Sequence, residues 1–131
     1  MESRQEIQIF IDAHACLWLF SNQLFRMSPM AMQTIENSIL LISPISLLEI
    51  DLLHEIKRIT VDGQTMLEAL QKEISLQVAL DSFIDITHAA KKLTWTRDPF
   101  DRLLVAHASL NHSPIITKDR LLHQHYKKCV W

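Results

Sequence analysis

The sequence predicts an α/β fold of three layers, in which helices cover both faces of a central, mainly parallel β-sheet. One observation is that short, apolar, β-branched segments alternate along the chain with longer amphipathic segments. A second is that the 131 residues include only one glycine and four prolines, which is unlike a loop-rich all-β protein. Because parallel strands need a crossover connection, the intervening helices are expected to lie on the faces of the sheet.

The first part of the chain contains two predicted strands. The segment IQIFID is short and rich in β-branched and aromatic residues, and it leads into the helical pattern HACLWLF. Ser28 and Pro29 are typical of a helix start, with serine as the N-cap and proline at the first position, and this helix is expected to end near Asn37. The segment SILLIS is the second predicted strand, and a further helix begins near Ile45.

The remainder of the chain continues this alternation. Its predicted elements are, in order, the helix VDGQTMLEALQKE, one short strand within LQVALDSFIDIT, the short helix THAAKKLTW, the helix RDPFDRLLVAHASLNHS, the strand PIITKD, the helix DRLLHQHY and the last short strand KCVW. Residues 1–131 are expected to form a single domain, because a chain of this length buries a core without disulfides or a structural metal.

Composition and charge exclude several classes of protein. With a net charge of -2, the chain is expected to have no broad electropositive surface, so any nucleic-acid binding must be local. Cys16 and Cys129 lack the spacing of a metal site or a redox pair, which indicates a reducing compartment. The longest apolar run is interrupted by Pro44, Glu49 and Asp51, and the first residues lack the apolar region of a signal peptide. We therefore expect a cytoplasmic protein without a membrane span.

Glu49 has an unusual position in the predicted helix that begins near Ile45. At about 3.6 residues per turn, this helix has an apolar stripe that includes Glu49 and otherwise consists of Ile45, Leu48, Leu52, Leu53 and Ile56. A lone ionised carboxylate on an apolar face costs several kcal/mol, so something must compensate for its burial. The candidates are a cation, a proton, partial exposure at a cleft, or an ion pair with Arg102 or Lys118.

Four acidic residues are expected to meet at one edge of the sheet. Asp12 ends the first strand and Asp119 ends the strand PIITKD, so both lie where parallel strands end. Glu49 lies in the first turns of its helix, and Asp101 lies in the first turn of RDPFDRLL, near the same edge. Each acid alone also has a structural interpretation, because aspartate is among the best N-cap residues. For Asp98 we adopt the N-cap interpretation.

A cluster of carboxylates predicts a site for a hard divalent cation. Without a cation the carboxylates repel and raise one another's pKa. Oxygen ligands with no patterned Cys or His favour Mg²⁺ or Mn²⁺ over zinc. Such an ion activates water for attack on phosphorus, so the residues predict phosphodiester hydrolysis. His14 is a candidate for the border of this cleft, whereas Trp18, Phe20 and Phe100 are interpreted as core residues.

The acidic segments resemble the motifs of the PIN-domain nucleases, and among them the VapC-like toxins of bacterial toxin–antitoxin pairs. FIDAHACLWLF resembles the opening strand and its aspartate, and SPISLLEI resembles the second motif with its glutamate. RDPFDRLLVAHA resembles the third motif and IITKD the fourth. The four segments occur in the order of the family and cover nearly the whole chain, and RDPFDRLL is the most distinctive of them.

This resemblance implies a PIN-like fold and an endoribonuclease that depends on Mg²⁺ or Mn²⁺. It also implies an RNA substrate, a homodimer, an antitoxin that blocks the site, and Thr117 as an orienting hydroxyl. The acidic residues that it implies for catalysis and metal binding are Asp12, Glu49, Asp101 and Asp119. One departure is Ala13, where the related pattern usually has a hydroxyl residue. This departure leaves open the alternative of a non-catalytic PIN-like module that binds a protein partner.

Overall fold

The structure, a computed structural model, describes residues 7–131. Within this range five strands form one sheet with the order β3-β2-β1-β4-β5, and every neighbouring pair is parallel. The strands are β1 (Gln8–Ile11), β2 (Ile39–Ile42), β3 (Gln77–Val78), β4 (Ile115–Ile116) and β5 (Cys129–Val130). The predicted α/β fold with a parallel sheet is confirmed.

Seven α-helices and one short 3₁₀ helix occur in the described part of the chain. The α-helices are α1 (Ala13–Phe20), α2 (Pro29–Glu36), α3 (Pro44–Glu55), α4 (Gly63–Ile74), α5 (Phe83–Ala90), α6 (Pro99–Leu110) and α7 (Arg120–His125), and the 3₁₀ helix is Leu24–Arg26. Six of the α-helices begin after a side chain that accepts a backbone N–H, because Asp and Ser at the N-cap replace a missing intrahelical partner. None of the helices described between residues 7 and 131 has the length and apolar character needed to cross a membrane.

The alternation of side chains along β1 creates the three layers. Ile9 and Ile11 point to one face of the sheet, where they pack in a cluster that includes residues of α1, α2 and α4. Phe10 points to the other face and packs in a cluster with Leu104 and Val105 of α6. Both faces of the central strand are therefore buried, as expected for a parallel sheet.

The helix predicted over THAAKKLTW is displaced in the structure. Helix α5 starts earlier, at Phe83, and ends at Ala90. Ile86 and Ala90 lie on one face of α5 and are buried with Ala106 of α6, whereas Ile84 is exposed. The run FIDIT therefore forms a helix with one buried face, and the prediction failed because short apolar runs fit a strand and a helix equally well.

The predicted orientation of α3 was also wrong. Leu48 and Ile56, two members of the expected buried stripe, are 49% and 63% exposed. The buried residues of α3 are instead Ser46 and Ile50, which are one turn apart. Apolar residues occur nearly all round this helix, so periodicity alone could not select its buried face. Glu49 therefore lies next to the buried face of α3 and is partly exposed.

Candidate functional site

Asp12 is held in place by hydrogen bonds to both of its carboxylate oxygens. The pairing of Ile11 with Ile116 places Asp12 level with Thr117, just beyond the ends of β1 and β4. The buried hydroxyl of Thr117 donates to Oδ2 of Asp12. The backbone N–H of Ala15 donates to Oδ1 at 2.8 Å, which makes Asp12 the N-cap of α1. The carboxylate orientation is therefore fixed by the two elements that meet there.

Asp119 lies two residues beyond Thr117 and is tied to the same hydroxyl. Its backbone N–H donates to Oγ1 of Thr117 at 3.1 Å. Its Oδ1 accepts the N–H groups of Leu121 and Leu122 at 2.8 and 3.2 Å, so Asp119 is the N-cap of α7. The structural interpretation of Asp12 and Asp119 as caps is thus confirmed, and it is compatible with a location at the sheet edge.

Glu49 and Asp101 reach the same edge on two helices that pack against each other. Helix α3 follows β2, and the pairing of Phe10 with Leu41 brings β2 to an end level with β1. Glu49 is in the second turn of α3. The first turn of α6 contains Asp101, which lines the same cavity as Asp12 and Asp119 and so lies at the edge where β1 and β4 end.

One cavity of about 460 Å³ collects these side chains. The four predicted acids all line it, and Asp98, the N-cap of α6, adds a fifth carboxylate. The other side chains around it belong to Ala13, His14, Trp18, Leu104, Lys118 and Leu122. His14 borders the cleft as expected. We refer to this cavity as the carboxylate cleft.

The carboxylates in the cleft influence one another electrostatically. Burial, together with the charge of Asp101 and the other nearby acids, raises the pKa of Glu49 to about 7. Burial followed by the charges of Asp98 and Asp119 raises the pKa of Asp101 to about 6. Burial also raises the pKa of Asp12, although the hydrogen bond from Thr117 opposes this change. Such mutual repulsion is expected only where several acids share a small volume.

No basic side chain compensates Glu49 in the part of the chain that the structure describes. The guanidinium of Arg102 instead donates to the backbone carbonyls of Ala90 and Lys91 at 2.8 and 3.3 Å. The ion pair with Arg102 or Lys118 that the sequence left open is absent, because residues 7–131 contain a single salt bridge and it joins His107 to Asp81. Partial exposure at a cleft is the interpretation that the structure supports.

The donor set in the cleft fits a hard divalent cation, because it consists of carboxylate oxygens whose charges repel one another. Within residues 7–131, no group of three or more His, Cys, Asp or Glu side chains already has the close spacing of a metal centre. The cleft therefore offers suitable ligands, and an ion would have to draw them closer together.

A buried histidine connects the two helices that carry Glu49 and Asp101. His107 of α6 is fully buried; its Nδ1 lies 2.8 Å from Oγ of Ser43, the N-cap of α3. Its Nε2 lies 2.9 Å from Oδ1 of Asp81. This hydrogen-bonded chain fixes α6 against the start of α3. No local pattern in the sequence indicated it, because its partners are distant in the chain.

Sequence reasoning also missed the role of Trp18. This residue was interpreted as part of the core, and its ring does pack against the core, but it also lines the carboxylate cleft. His14 and Trp18 are four residues apart on α1, a spacing that places two side chains on the same helical face. Because α1 starts directly after Asp12, this spacing could have indicated that His14 and Trp18 both lie beside the carboxylate cleft.

Comparison with known proteins identifies the family and agrees with the fold. The sequence model of the PIN domain matches residues 9–128. The chain therefore belongs to the PIN domain family, whose members are generally nucleases.

A solved structure with a similar fold is described as the crystal structure of VapBC2 from Rickettsia felis bound to a DNA fragment from their promoter. The two chains superpose with a TM-score of 0.62 at 14% sequence identity, over 94% of this chain and 96% of the other. At this identity the likeness is evidence for the fold alone. A search of curated proteins found no match.

Proposed function

We propose that this protein is a metal-dependent endoribonuclease that hydrolyses phosphodiester bonds of RNA. The observation that carries the proposal is that Asp12, Glu49, Asp101 and Asp119 line one open cavity at the edge where the parallel strands end. Ligands of α/β proteins commonly bind at this edge. Membership of the PIN domain family supports the same class of reaction.

The same four acids are the proposed ligands of Mg²⁺ or Mn²⁺. A bound ion of this kind supplies positive charge at the phosphate and lowers the pKa of water. Thr117 orients Asp12 through its hydroxyl, so that the carboxylate keeps one direction during the reaction. Asp98 remains a structural residue, since its Oδ1 accepts the N–H of Phe100 at 2.9 Å.

Lys118 gives the cleft a positive group beside its carboxylates. Its side chain lines the cleft and is exposed to solvent. An ammonium group at this position can contact a phosphate of the RNA and hold it at the acidic site. In this proposal the acids determine where cleavage takes place and Lys118 helps to retain the substrate.

We also propose that the protein is the toxin of a toxin–antitoxin pair. The similarity of its fold to a chain of the VapBC2 assembly supports this assignment. A cognate antitoxin would block the carboxylate cleft, and the protein would act as a homodimer in the cytoplasm. Gel filtration of the protein with and without the product of the neighbouring reading frame tests both associations.

The nuclease proposal is tested with the full chain, a single-stranded RNA and Mn²⁺. We expect cleavage that EDTA abolishes and that is lost in Asp12→Asn and Asp101→Asn. Asp62→Asn is the matched control, because Asp62 is the N-cap of α4 and does not line the carboxylate cleft. Unchanged cleavage in both cleft variants would refute the proposal.

The second candidate function is a non-catalytic module that binds a protein partner. It is favoured by Ala13, which lines the cleft where related sequences usually have a hydroxyl residue. Titration calorimetry with Mn²⁺ separates the two candidates. Binding that is weakened in Asp101→Asn supports the nuclease, whereas no binding in the millimolar range supports the module.

A further inference from the structure

A second groove, of about 470 Å³, adjoins the carboxylate cleft. The two cavities share the side chains of His14 and Trp18, so these residues form the boundary between them. The groove is otherwise lined by α1, by the turn that follows it, by the last part of α3 and by the segment that follows α3. We refer to it as the Trp18 groove.

The lining of the Trp18 groove combines apolar side chains with positive charge. Its apolar side chains, besides Trp18, are Leu17, Phe20, Leu53, Ile59 and Val61. Arg58 lies at the groove and is exposed, and it forms no ion pair with any acid among residues 7–131. Arg26 does not line the groove, but its guanidinium lies 5.8 Å from the centre of the Trp18 ring, a cation–π arrangement.

The chemistry of the two cavities is complementary to that of a nucleotide chain. The carboxylate cleft is acidic, whereas no acid lines the Trp18 groove. A single-stranded nucleic acid alternates flat apolar bases with anionic phosphates, and proteins bind it with aromatic side chains beside basic ones. With a divalent cation bound to the carboxylates, as the proposed function requires, an apolar wall that continues into the cleft can hold a base while its phosphate lies in the cleft.

We propose that the Trp18 groove binds a nucleobase adjacent to the scissile phosphate of a single-stranded RNA. In this arrangement the base packs against the indole of Trp18, and Arg58 contacts a phosphate further along the strand. The proposal rests on the proposed function, because it takes RNA as the ligand that enters the carboxylate cleft. It assigns substrate binding to two residues outside the acidic set.

The role of Trp18 is tested with a fluorescent single-stranded RNA of about ten nucleotides, long enough to span one binding site. Binding is measured with Mg²⁺ in a full chain that carries Asp101→Asn, which is expected not to cleave. Loss of a base-stacking aromatic residue weakens binding by about fivefold to a hundredfold. We therefore expect Trp18→Leu to weaken binding by at least about fivefold, and Trp18→Phe to stay within about twofold of the Asp101→Asn protein.

The dependence on the base is tested with an abasic ribose phosphate oligomer of the same length. Because it offers no base to Trp18, we expect the Phe and Leu variants at position 18 to bind it with equal affinity. Circular dichroism and thermal unfolding of both variants establish that they are folded. Phe83→Leu is a control, because Phe83 is exposed and lines neither cavity.

The role of Arg58 is tested through the salt dependence of binding. Removal of one phosphate contact to a single strand reduces the slope of log K against log salt concentration by about 0.7. We expect this reduction for Arg58→Gln and no reduction for Lys72→Gln, since Lys72 is an exposed residue of α4 outside the groove. Both variants remove a single surface charge, so they are matched.

The proposal is overturned if folded Trp18→Leu binds RNA as tightly as Trp18→Phe, or if Arg58→Gln keeps the full salt slope. The absence of any RNA binding overturns it as well. Its failure is distinct from failure of the proposed function. If the native protein shows metal-dependent cleavage but Trp18→Leu leaves RNA binding unchanged, only the groove proposal is refuted. If RNA binding depends on Trp18 but the native protein does not cleave RNA, only the nuclease proposal is refuted.

Discussion

At the scale of single residues, Glu49 and Asp101 illustrate a conflict between the cleft and the stability of the fold. Their pKa values in the folded protein, about 7 and about 6, exceed those of free side chains because of burial and neighbouring charge. The folded state therefore binds more protons than the unfolded state between the free and the folded pKa. Consequently the stability contribution of each group falls as the pH rises through this range, which extends to about 7 for Glu49.

Removing either charge is expected to stabilise the protein when no metal is added. Glu49→Gln and Asp101→Asn should each raise the free energy of unfolding at about pH 8 by about 1 to 2 kcal/mol, a value reduced for solvent screening of partly exposed groups. Urea unfolding measures the effect. Glu68→Gln, on the exposed surface of α4, is the control and should change stability by less than about 0.5 kcal/mol. A loss of stability in both cleft variants would contradict the prediction.

The pKa of Asp81 is lowered in the folded protein, whereas those of Glu49 and Asp101 are raised. The amide of Asn111 donates to Oδ2 at 3.1 Å and, with the hydrogen bond to His107, lowers the pKa of Asp81. A carboxylate whose pKa is lowered on folding stabilises the folded state fully at a pH above its pKa in the unfolded chain, about 3.9. This stabilisation is lost as the pH falls through the pKa of the folded protein. We expect Asp81→Asn to be less stable than the native protein at pH 7, by about 1 kcal/mol, and the gap to narrow below about pH 4. Urea unfolding over a pH series checks this, and a gap that stays constant would contradict it.

Among single residues, the sequence allowed prediction of those whose role follows from their place in an element. Asp12 and Asp119 each follow a short apolar run, so their location at the sheet edge could be inferred before the structure. The contact of Ser43 with His107 could not be predicted from the sequence, since the two residues are 64 positions apart. Arg58 was likewise missed, because the groove that it lines is formed only when the end of α3 meets α1.

At the scale of secondary structure elements, prediction succeeded where the ends of an element have distinct chemistry. Helices α2 and α6 begin with a Ser or Asp cap followed by Pro, and both start where the sequence predicted. The start of α5 was predicted too late, because FIDIT resembles a strand and the side chain of its N-cap, Ser82, accepts no backbone N–H of the first turn. The orientation of α3 depends on which neighbours it packs against, and that information is not local.

The contact between α3 and α4 requires the single glycine of the chain. The N–H of Gly63 donates to Oδ1 of Asp51 at 2.7 Å, and a Cβ on Gly63 would lie 2.9 Å from that oxygen and 3.0 Å from the carbonyl of Leu47. We expect Gly63→Ala to destabilise the protein by about 1 to 3 kcal/mol, although alanine is the better helix former. Thermal unfolding measures this. Gln64→Ala, at an exposed position of α4, is the control. Equal stability of Gly63→Ala and the native protein would contradict the prediction and would show that α3 and α4 can move apart without a loss in the free energy of unfolding.

At the scale of the whole molecule, the proposed ligands come from four separate segments between residues 12 and 119. A cation bound to all of them links both halves of the sheet, and it stabilises only the folded state because the unfolded chain does not hold them together.

We expect Mn²⁺ at about a hundred times its Kd to stabilise the native protein by about 2.7 kcal/mol. Asp101→Asn, which lacks one ligand, should show a smaller increase in thermal unfolding temperature. Differential scanning calorimetry with and without Mn²⁺ provides the comparison. An equal increase in both proteins would indicate that the ion binds away from the carboxylate cleft.

Because β1 lies in the middle of the sheet, the carboxylate cleft can form only after nearly the whole chain has been synthesised. Asp12 and Thr117 touch although 105 residues separate them, and β1 pairs with β4 on one side. A nascent chain that stops before Ile115 lacks both Thr117 and Asp119, and one edge of β1 has no neighbour. Early termination on the ribosome, or translation of a broken messenger, therefore yields fragments in which the cleft cannot assemble.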